Sequence, residues 1–416
     1  MAASESNRIV ITGIGLCTPL GPDRESTWRN IVAGQSAVRW LMPPHWTEPT
    51  RIAGAPVSFP AERPFRHAEP LVELARTTAS ESLQDAGLSS TDLARRTVGI
   101  VFGNSKGGLH TFSRMFEQAR TCKSSREPSH NPTTANFEWL DFFSNRAACA
   151  IHAIVGGYGP VHCPVAACAT GLIACQRGVE LLQNGDCDLV IVGSADVSLQ
   201  PAVLGSFRRL GVLSHETDVA SIACRPFDRH RSGFVVGEGA ACLVLEKRES
   251  AIARGVKWYA EWLGGMMLSD PLGLTQLDLS GSTLKHLLRS LLSDVGRRPD
   301  YINLHGTATP SNDLVESRAI RDVFGDETEQ IACSSLKGGL GHLLGAAGSV
   351  ELAATALALR DQIAPASINL NEPDPECRLN LVANRSQPMG MKTAWKLSLG
   401  FGGHIAGAAL AAPSFD

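Results

Sequence analysis

A cysteine set among small residues is the first group in this sequence equipped for chemistry. Cys168 lies in Val165-Ala166-Ala167-Cys168-Ala169-Thr170-Gly171, whose neighbours leave room for backbone to pass closely and for a substrate to reach the sulfur. The following segment carries Leu172, Ile173, Val179 and Leu182 at helical spacing and stops at Asn184-Gly185. A cysteine at a helix N-terminus faces unpaired N–H groups and the positive end of the dipole, so a bias toward thiolate is expected. Far along the chain stand two histidines in glycine-flanked loops, His305 in His305-Gly306-Thr307-Ala308-Thr309-Pro310 and His342 in Lys337-Gly338-Gly339-Leu340-Gly341-His342. A sulfur nucleophile with two imidazoles suits acyl transfer through a thioester. Two neutral imidazoles donating to one carbonyl oxygen stabilise an enolate, the species that decarboxylation of a malonyl thioester leaves behind. A cation at Lys337, held by Asp313 and Glu351, favours the neutral rings. Backbone N–H groups at Cys168 and at Gly400-Phe401-Gly402 are the expected donors to a tetrahedral oxyanion.

These groups need a scaffold, and the apolar pattern supplies one. Arg8 to Gly15 reads as a strand into a glycine turn, Asp23 to Trp28 opens a helix, and Leu41 to Pro70 reads as loop. Leu71 to Ala86 is expected as a helix closed by Gly87, and Thr97 to Gly103 as a buried strand. The polar stretch Thr121 to Ala135 reads as an excursion at an interface, followed by a helix over Phe142 to Val155. After the Cys168 unit come strands at Asp188 to Gly193 and Ala240 to Glu246. A second round begins near Lys257, with a helix at Ser282 to Val295 and a strand at Tyr301 to Leu304 running into His305. Helix Asp313 to Phe324, strand Ile331 to Ser334, helix Leu344 to Asp361 and the pair Trp395 to Leu399 and Ile405 to Ala411 complete it. Apolar strands alternating with helices and glycine turns mark an α/β sheet covered on both faces. The element order is similar in residues 1–250 and 251–416 without a readable sequence repeat, so two duplicated halves are expected, with the reactive residues at strand ends where they meet.

Composition narrows the function classes. The 416 residues are 44% hydrophobic and 19% charged with a net charge of −3, which excludes a polybasic nucleic-acid binder and a disordered acidic chain. No apolar run reaches membrane-spanning length, Met1 to Asn7 is polar, and the 11 cysteines have no paired spacing, so a cytoplasmic, membrane-free protein is expected. His162, Cys163 and Cys168 lack a second ligand pair, which argues against zinc, and Gly338 to Gly348 lacks the Lys-Ser/Thr ending of a phosphate-binding loop. Alone, Cys168 would more often be an inert core residue, and His305, His342 and His404 satisfied loop histidines. Arg208, Arg209, Arg225, Arg229 and Arg231 read as solvated charges or core ion pairs, some of which form a basic patch for an acidic partner.

Several stretches together resemble the 3-oxoacyl-[acyl-carrier-protein] synthases of the elongating, Cys-His-His type. They are Ala167-Cys168-Ala169-Thr170-Gly171, Arg225-Pro226-Phe227-Asp228, Gly233 to Gly239, His305 to Pro310, Gly341 to Gly348 and Gly400 to Gly403, in the family's order from about Arg8 to about Ala411. The resemblance implies a thiolase-like fold, duplicated as five layers, α/β/α/β/α. It implies decarboxylating condensation of an enzyme-bound acyl group with malonyl-acyl carrier protein, and a polyketide or specialised-lipid synthase as the alternative. Cys168 would be the acylated nucleophile, His305 and His342 the decarboxylation and enolate pair, and Lys337 the supporting lysine. Asp313 and Glu351 would be its acidic partners, and Phe401 a gate over the acyl pocket. Thr307, Thr309 and Thr275 would hold the phosphopantetheine arm, which arrives on the acyl carrier protein, so no resident cofactor or metal is implied. The family also implies a homodimer. Two departures stand out: Lys106, where the family has a small or apolar acyl-pocket residue, and Ile405, where it commonly has Asn. Non-catalytic partner subunits lose the cysteine that Cys168 retains, and a thiolase using acetyl-coenzyme A would need a second cysteine, absent from Gly400 to Gly407.

Overall fold

The computed structural model describes residues 8–42, 51–64, 67–121, 137–215 and 218–414. Strand β1 (Ile9–Cys17) is followed by β2 (Val98–Gly103), β3 (Val161–His162), β4 (Leu189–Asp196) and β5 (Gly239–Lys247). The second round comprises β6 (Ala260–Ser269), β7 (Tyr301–Asn303), β8 (Ala332–Ser334), β9 (Asn380–Leu381), β10 (Thr393–Gly400) and β11 (His404–Ala411). Side by side they run β9-β8-β7-β10-β11-β6-β1-β5-β4-β2-β3, and the halves join where Ile9–Ile11 pairs with Ala260–Trp262. Within the first half the spatial order is β3-β2-β4-β5-β1, and within the second, leaving aside the extra edge strand β9, it is β8-β7-β10-β11-β6, the same ranking by chain order. Directions match too: the third, second and fourth strands of each half are parallel, and the fifth and first antiparallel. Duplication that left no trace in residue identity is therefore plain in topology.

The connections explain the layers. Helices α1 (Pro70–Asp85) and α2 (Arg146–Val155) cover the outer face of the first half, and α4 (Ser282–Val295) and α5 (Pro310–Phe324) that of the second. Between the halves lie α3 (Thr170–Asn184) and α6 (Ala347–Asp361), each joining the third and fourth strands of its half. The core strands are buried along their full length, as near-continuous apolar runs require when both faces are covered. Helix α6 is buried on nearly every side and rich in alanine, which lets it pass between sheets. Its start touches the start of α3: a Cβ on Gly171 would lie 2.4 Å from Ser349 N, and one on Gly348 2.4 Å from Leu172 N. Glycine at both crossing points is what permits this approach.

Most element expectations match within a few residues, with Asp23 capping the helix Arg24–Val32 and α4 spanning the expected Ser282–Val295. Three differ. Leu41 to Pro70 is not all loop: Ile52–Ala55 forms a strand in a small sheet with Arg39–Leu41 and Val236–Gly237. The expected helix from Phe142 starts at Arg146, after a 3-10 turn over Phe137–Phe142. The expected interface excursion falls almost wholly in residues 122–136, outside the described residues. No helix among the described residues is long and apolar enough to cross a membrane.

Candidate active site

Equivalent positions of the two halves deliver the reactive groups. Cys168 sits in a 3-10 turn, Ala167–Ala169, that leads into α3, and His342 lies a few residues before α6, the matching helix. His305 follows β7, and Phe401 lies in the turn between β10 and β11. Because α3 and α6 touch at their starts, Cys168 Sγ comes within 3.1 Å of His342 Nε2. The rings of His305 and His342 stand 5.4 Å apart at 80°. All three line one cavity of about 710 Å³, together with Phe401 and the threonines Thr275, Thr307 and Thr309. Its walls are largely apolar, from Phe207, Phe234, Leu272, Leu274, Leu344 and Ile405.

Backbone geometry around the sulfur is tight. Ala167 adopts φ +47°, unusual for a residue with a side chain. Gly400 packs so closely that a Cβ there would lie 2.8 Å from Ala166 O and 3.1 Å from Cys168 N. This closeness brings the Phe401 N–H to the Cys168 sulfur. The loop of Phe401 is tied by Gly402 N donating to Leu274 O at 2.7 Å and Asp270 N donating to Gly403 O at 2.8 Å. Ile405 therefore leaves the loop bonded through its backbone, and itself pairs with Leu399 and Leu268 in the sheet.

The electrostatics partly reverse the expectation for the cysteine. Burial pushes the Cys168 thiol up to about 11, while the Lys106 and Lys337 ammoniums and the Phe401 N–H pull it back. The sulfur is open to the cavity but shielded from bulk water, and that desolvation outweighs the helix terminus. The resting group is thus a thiol. The histidines follow expectation: both are held well below the ordinary imidazole value, by burial first and then by the Lys337 ammonium. Leu344 N donates to His342 Nδ1 at 3.3 Å, which assigns the neutral ring's proton to Nε2, the atom facing Cys168.

The acidic partners divide differently from expectation. Lys337 is fully buried and its Nζ lies 2.6 Å from Glu351 Oε1, as expected. Asp313 does not hold Lys337. It accepts from Phe227 N at 2.8 Å and faces Arg231 at 3.7 Å, because α5 turns it toward the Arg225 to Arg231 loop. Arg231, paired also with Asp374 at 2.6 Å, is a core ion pair. Lys106 is not among the residues lining the cavity. Its Nζ donates to Ser105 Oγ at 2.6 Å and Ser198 Oγ at 3.1 Å and lies 3.9 Å from Asp196.

Two functional neighbours escaped the sequence reading. Glu316 accepts from His305 N at 2.6 Å and Gly306 N at 2.8 Å, fixing the loop that carries His305. Its place at the third position after Asp313 on the same helix face was the available signal. The other is Lys396, fully buried on β10 with its Nζ 2.7 Å from Glu351 Oε2. A lysine within an apolar strand pattern marked it, and nothing in the sequence named its partner.

The chain's relatives point to one family. The family description "Beta-ketoacyl synthase, N-terminal domain" matches residues 6–251, and "Beta-ketoacyl synthase, C-terminal domain" matches residues 259–371. The chain is 33% identical over 413 residues to 3-oxoacyl-[acyl-carrier-protein] synthase 2 of Synechocystis sp., covering 97% of this chain and 98% of that protein. It is 34% identical to the protein of the same name from Coxiella burnetii, over 96% of this chain and 97% of that one. Among solved structures it resembles a type II polyketide ketosynthase held with its acyl-carrier protein and bound to the hexaketide. That match has a TM-score of 0.88 and 30% identity, covering 97% of this chain and 99% of that one. The thiolase-like, layered α/β fold, the matched halves and the relatives together place this chain in the beta-ketoacyl synthase family.

Proposed function

We propose that this chain is an acyltransferase that condenses an enzyme-bound acyl group with malonyl-acyl carrier protein to give 3-oxoacyl-acyl carrier protein, as in fatty-acid elongation. The observation that carries this reading is Cys168 Sγ at 3.1 Å from His342 Nε2, with the His305 ring completing the cluster in one cavity. In the first step the Cys168 sulfur attacks the acyl thioester. Its proton leaves on the departing phosphopantetheine thiol. The tetrahedral oxyanion faces the backbone N–H groups of Phe401 and Cys168, each such donor worth about 3 kcal/mol of barrier.

In the second step the malonyl carboxylate departs as carbon dioxide and its electron pair becomes an enolate on the thioester carbonyl. Nε2–H of His342 and the neutral His305 ring donate to that oxygen. The enolate carbon attacks the acyl group, Cys168 leaves as thiolate and takes a proton from solvent, and the 3-oxo product stays on the carrier. Thr275, Thr307 and Thr309 line the side of the cavity suited to the phosphopantetheine arm. That arm comes with the carrier protein, so the reaction calls for no resident cofactor or metal.

A second reading, a polyketide or specialised-lipid ketosynthase, is favoured by one feature. The Lys106 ammonium, held by Asp196, Ser105 and Ser198, lies 5.9 Å from the ring centre of the cavity residue Phe207. One experiment separates the readings: purified protein is incubated with acyl carrier protein thioesters of increasing length and its intact mass and products are followed. Wild type gains the acyl mass and Cys168→Ala does not; an acylated alanine variant would remove the reading altogether. Lys106→Ile is expected to move the product profile toward longer saturated chains, and an unchanged profile would remove Lys106 as a specificity residue.

We propose that the chain forms a homodimer, a reading its surface supports. Edge strand β3 exposes Val161 and His162, and beside it Trp139, Phe142, Phe143 and Tyr158 are exposed. An open sheet edge flanked by aromatic residues is a ready surface for a second copy of this chain. Sedimentation at twice the chain mass is expected, and a monomer at micromolar concentration would contradict it. We propose further that the protein works in the cytoplasm, together with the carrier protein that brings its substrates.

A further inference from the structure

Lys396 is the buried charge for which the condensing chemistry has so far offered no task. The alternation of β10 turns Trp395 to the outer core of the second half and Lys396 to the opposite face, where Glu351 projects from α6. Its Nζ donates to Leu304 O at 3.2 Å and to Leu397 O, and forms an ion pair with Glu351 Oε2 at 2.7 Å. Glu351 thus bridges two ammoniums, with Lys337 on its other oxygen at 2.6 Å. A second buried lysine is costly, and burial in an apolar strand interior is not where one is expected without a task.

The Leu304 contact ties Lys396 to the reacting groups. Leu304 O and His305 N belong to one peptide unit. Lys396 donates to its oxygen while Glu316 Oε1 accepts from its N–H at 2.6 Å. That plane is gripped on both edges, and the His305 ring hangs from its next atom. We propose that Lys396 is a positioning residue for the decarboxylating step: it fixes the peptide that carries His305 and sets a second ammonium behind the two imidazoles that hold the enolate. This rests on the condensing reaction above.

The groups that face Lys396 are Glu351 and Lys337 from the α6 side, Glu316 from α5, and His305 and His342 toward the cavity; Asp313, paired with Arg231, lies beyond Glu316. Burial pushes Lys396 down to about 8, and Lys337 adds to this, while Glu351 and Glu316 act the other way. As pH rises through that value the ammonium becomes an amine and the enolate loses one cation. Burial pushes Glu316 up to about 7, so its ionisation is centred at neutrality and is largely complete by about pH 8.

The test compares two half-reactions in wild type and Lys396→Met: carbon dioxide release from malonyl-acyl carrier protein, and acylation of Cys168 followed by intact mass. The variant is expected to lose about 10-fold in kcat for decarboxylation, the scale of one nearby charge in a partly screened site, with KM and Cys168 acylation close to wild type. Wild-type decarboxylation is expected to fall between pH 7.5 and 9.5 in roughly the same proportion, and the variant's profile to be flat there. Unchanged decarboxylation in the variant, or equal loss in both half-reactions, overturns the proposal. Should Lys396→Met not fold, the wild-type profile decides it alone, since no alkaline fall confined to decarboxylation would leave the ammonium without a role. Wild type that releases no carbon dioxide at any pH defeats the condensing reading instead, a separate outcome.

Discussion

Glu351→Gln is expected to lose about 3–5 kcal/mol of stability at pH 7, the usual cost of removing one partner from a buried ion pair. The carboxylate forms ion pairs with both Lys337 at 2.6 Å and Lys396 at 2.7 Å, and both lysine side chains are fully buried. With glutamine in its place two ammoniums face each other without a compensating charge. The loss also has a pH signature. The folded-state value of Lys396 is already depressed to about 8, below the unfolded lysine value of roughly 10.4. The unfolded chain therefore binds more protons across that window, and folding becomes more favourable as pH rises through it. Removing Glu351 depresses the folded value of Lys396 further, so the gap between wild type and variant should narrow from pH 7 to pH 9.5. Denaturant midpoints at both pH values measure this, and a wild-type midpoint at pH 7 would show that the lysines do not depend on Glu351.

His305→Ala is expected to reduce malonyl decarboxylation by about 10²–10³-fold, the range found when one donor to a developing oxyanion is removed. Cys168 acylation should survive. His342 reaches the sulfur at 3.1 Å, whereas among the described residues no hydrogen bond joins the His305 ring to it, and that ring stands 5.4 Å from the His342 ring between centres. The two rates are measured separately, by carbon dioxide release and by intact mass. Equal losses in both would mean that His305 shapes the site as a whole instead of holding the enolate. The neutral state on which this role depends has a physical source: burial first, and then the Lys337 and Lys396 ammoniums, disfavour a proton on the ring.

How much of this was legible in the residues varies from group to group. Cys168, His305 and His342 each sit in short stretches of small residues, and small residues are needed wherever backbone must approach a substrate or another helix. Gly171 and Gly348 could be read as motif members, yet only their contact across the α3–α6 crossing explains how residues 174 positions apart come to share a cavity. Lys337 with Glu351 was recoverable, since both were expected near the histidines. Asp313 was assigned to the same lysine, and the rotation of α5 gave it to Phe227 N and Arg231. Lys106 drew notice for its charge, but the hydroxyls of Ser105 and Ser198 and the carboxylate of Asp196 hold it outside the cavity lining.

The amino-acid sequence by itself determined the alternation of strands and helices, which cysteine and which two histidines are the candidates for chemistry, and the family to which the chain belongs. Those are properties of residue type and local spacing, and spacing survives without knowledge of partners. Tertiary structure alone decided that the cysteine rests as a thiol, that one carboxylate serves two lysines, and that both edges of the peptide before His305 are held. Each of these depends on desolvation or on contacts between segments far apart in the chain, and only the folded arrangement creates them.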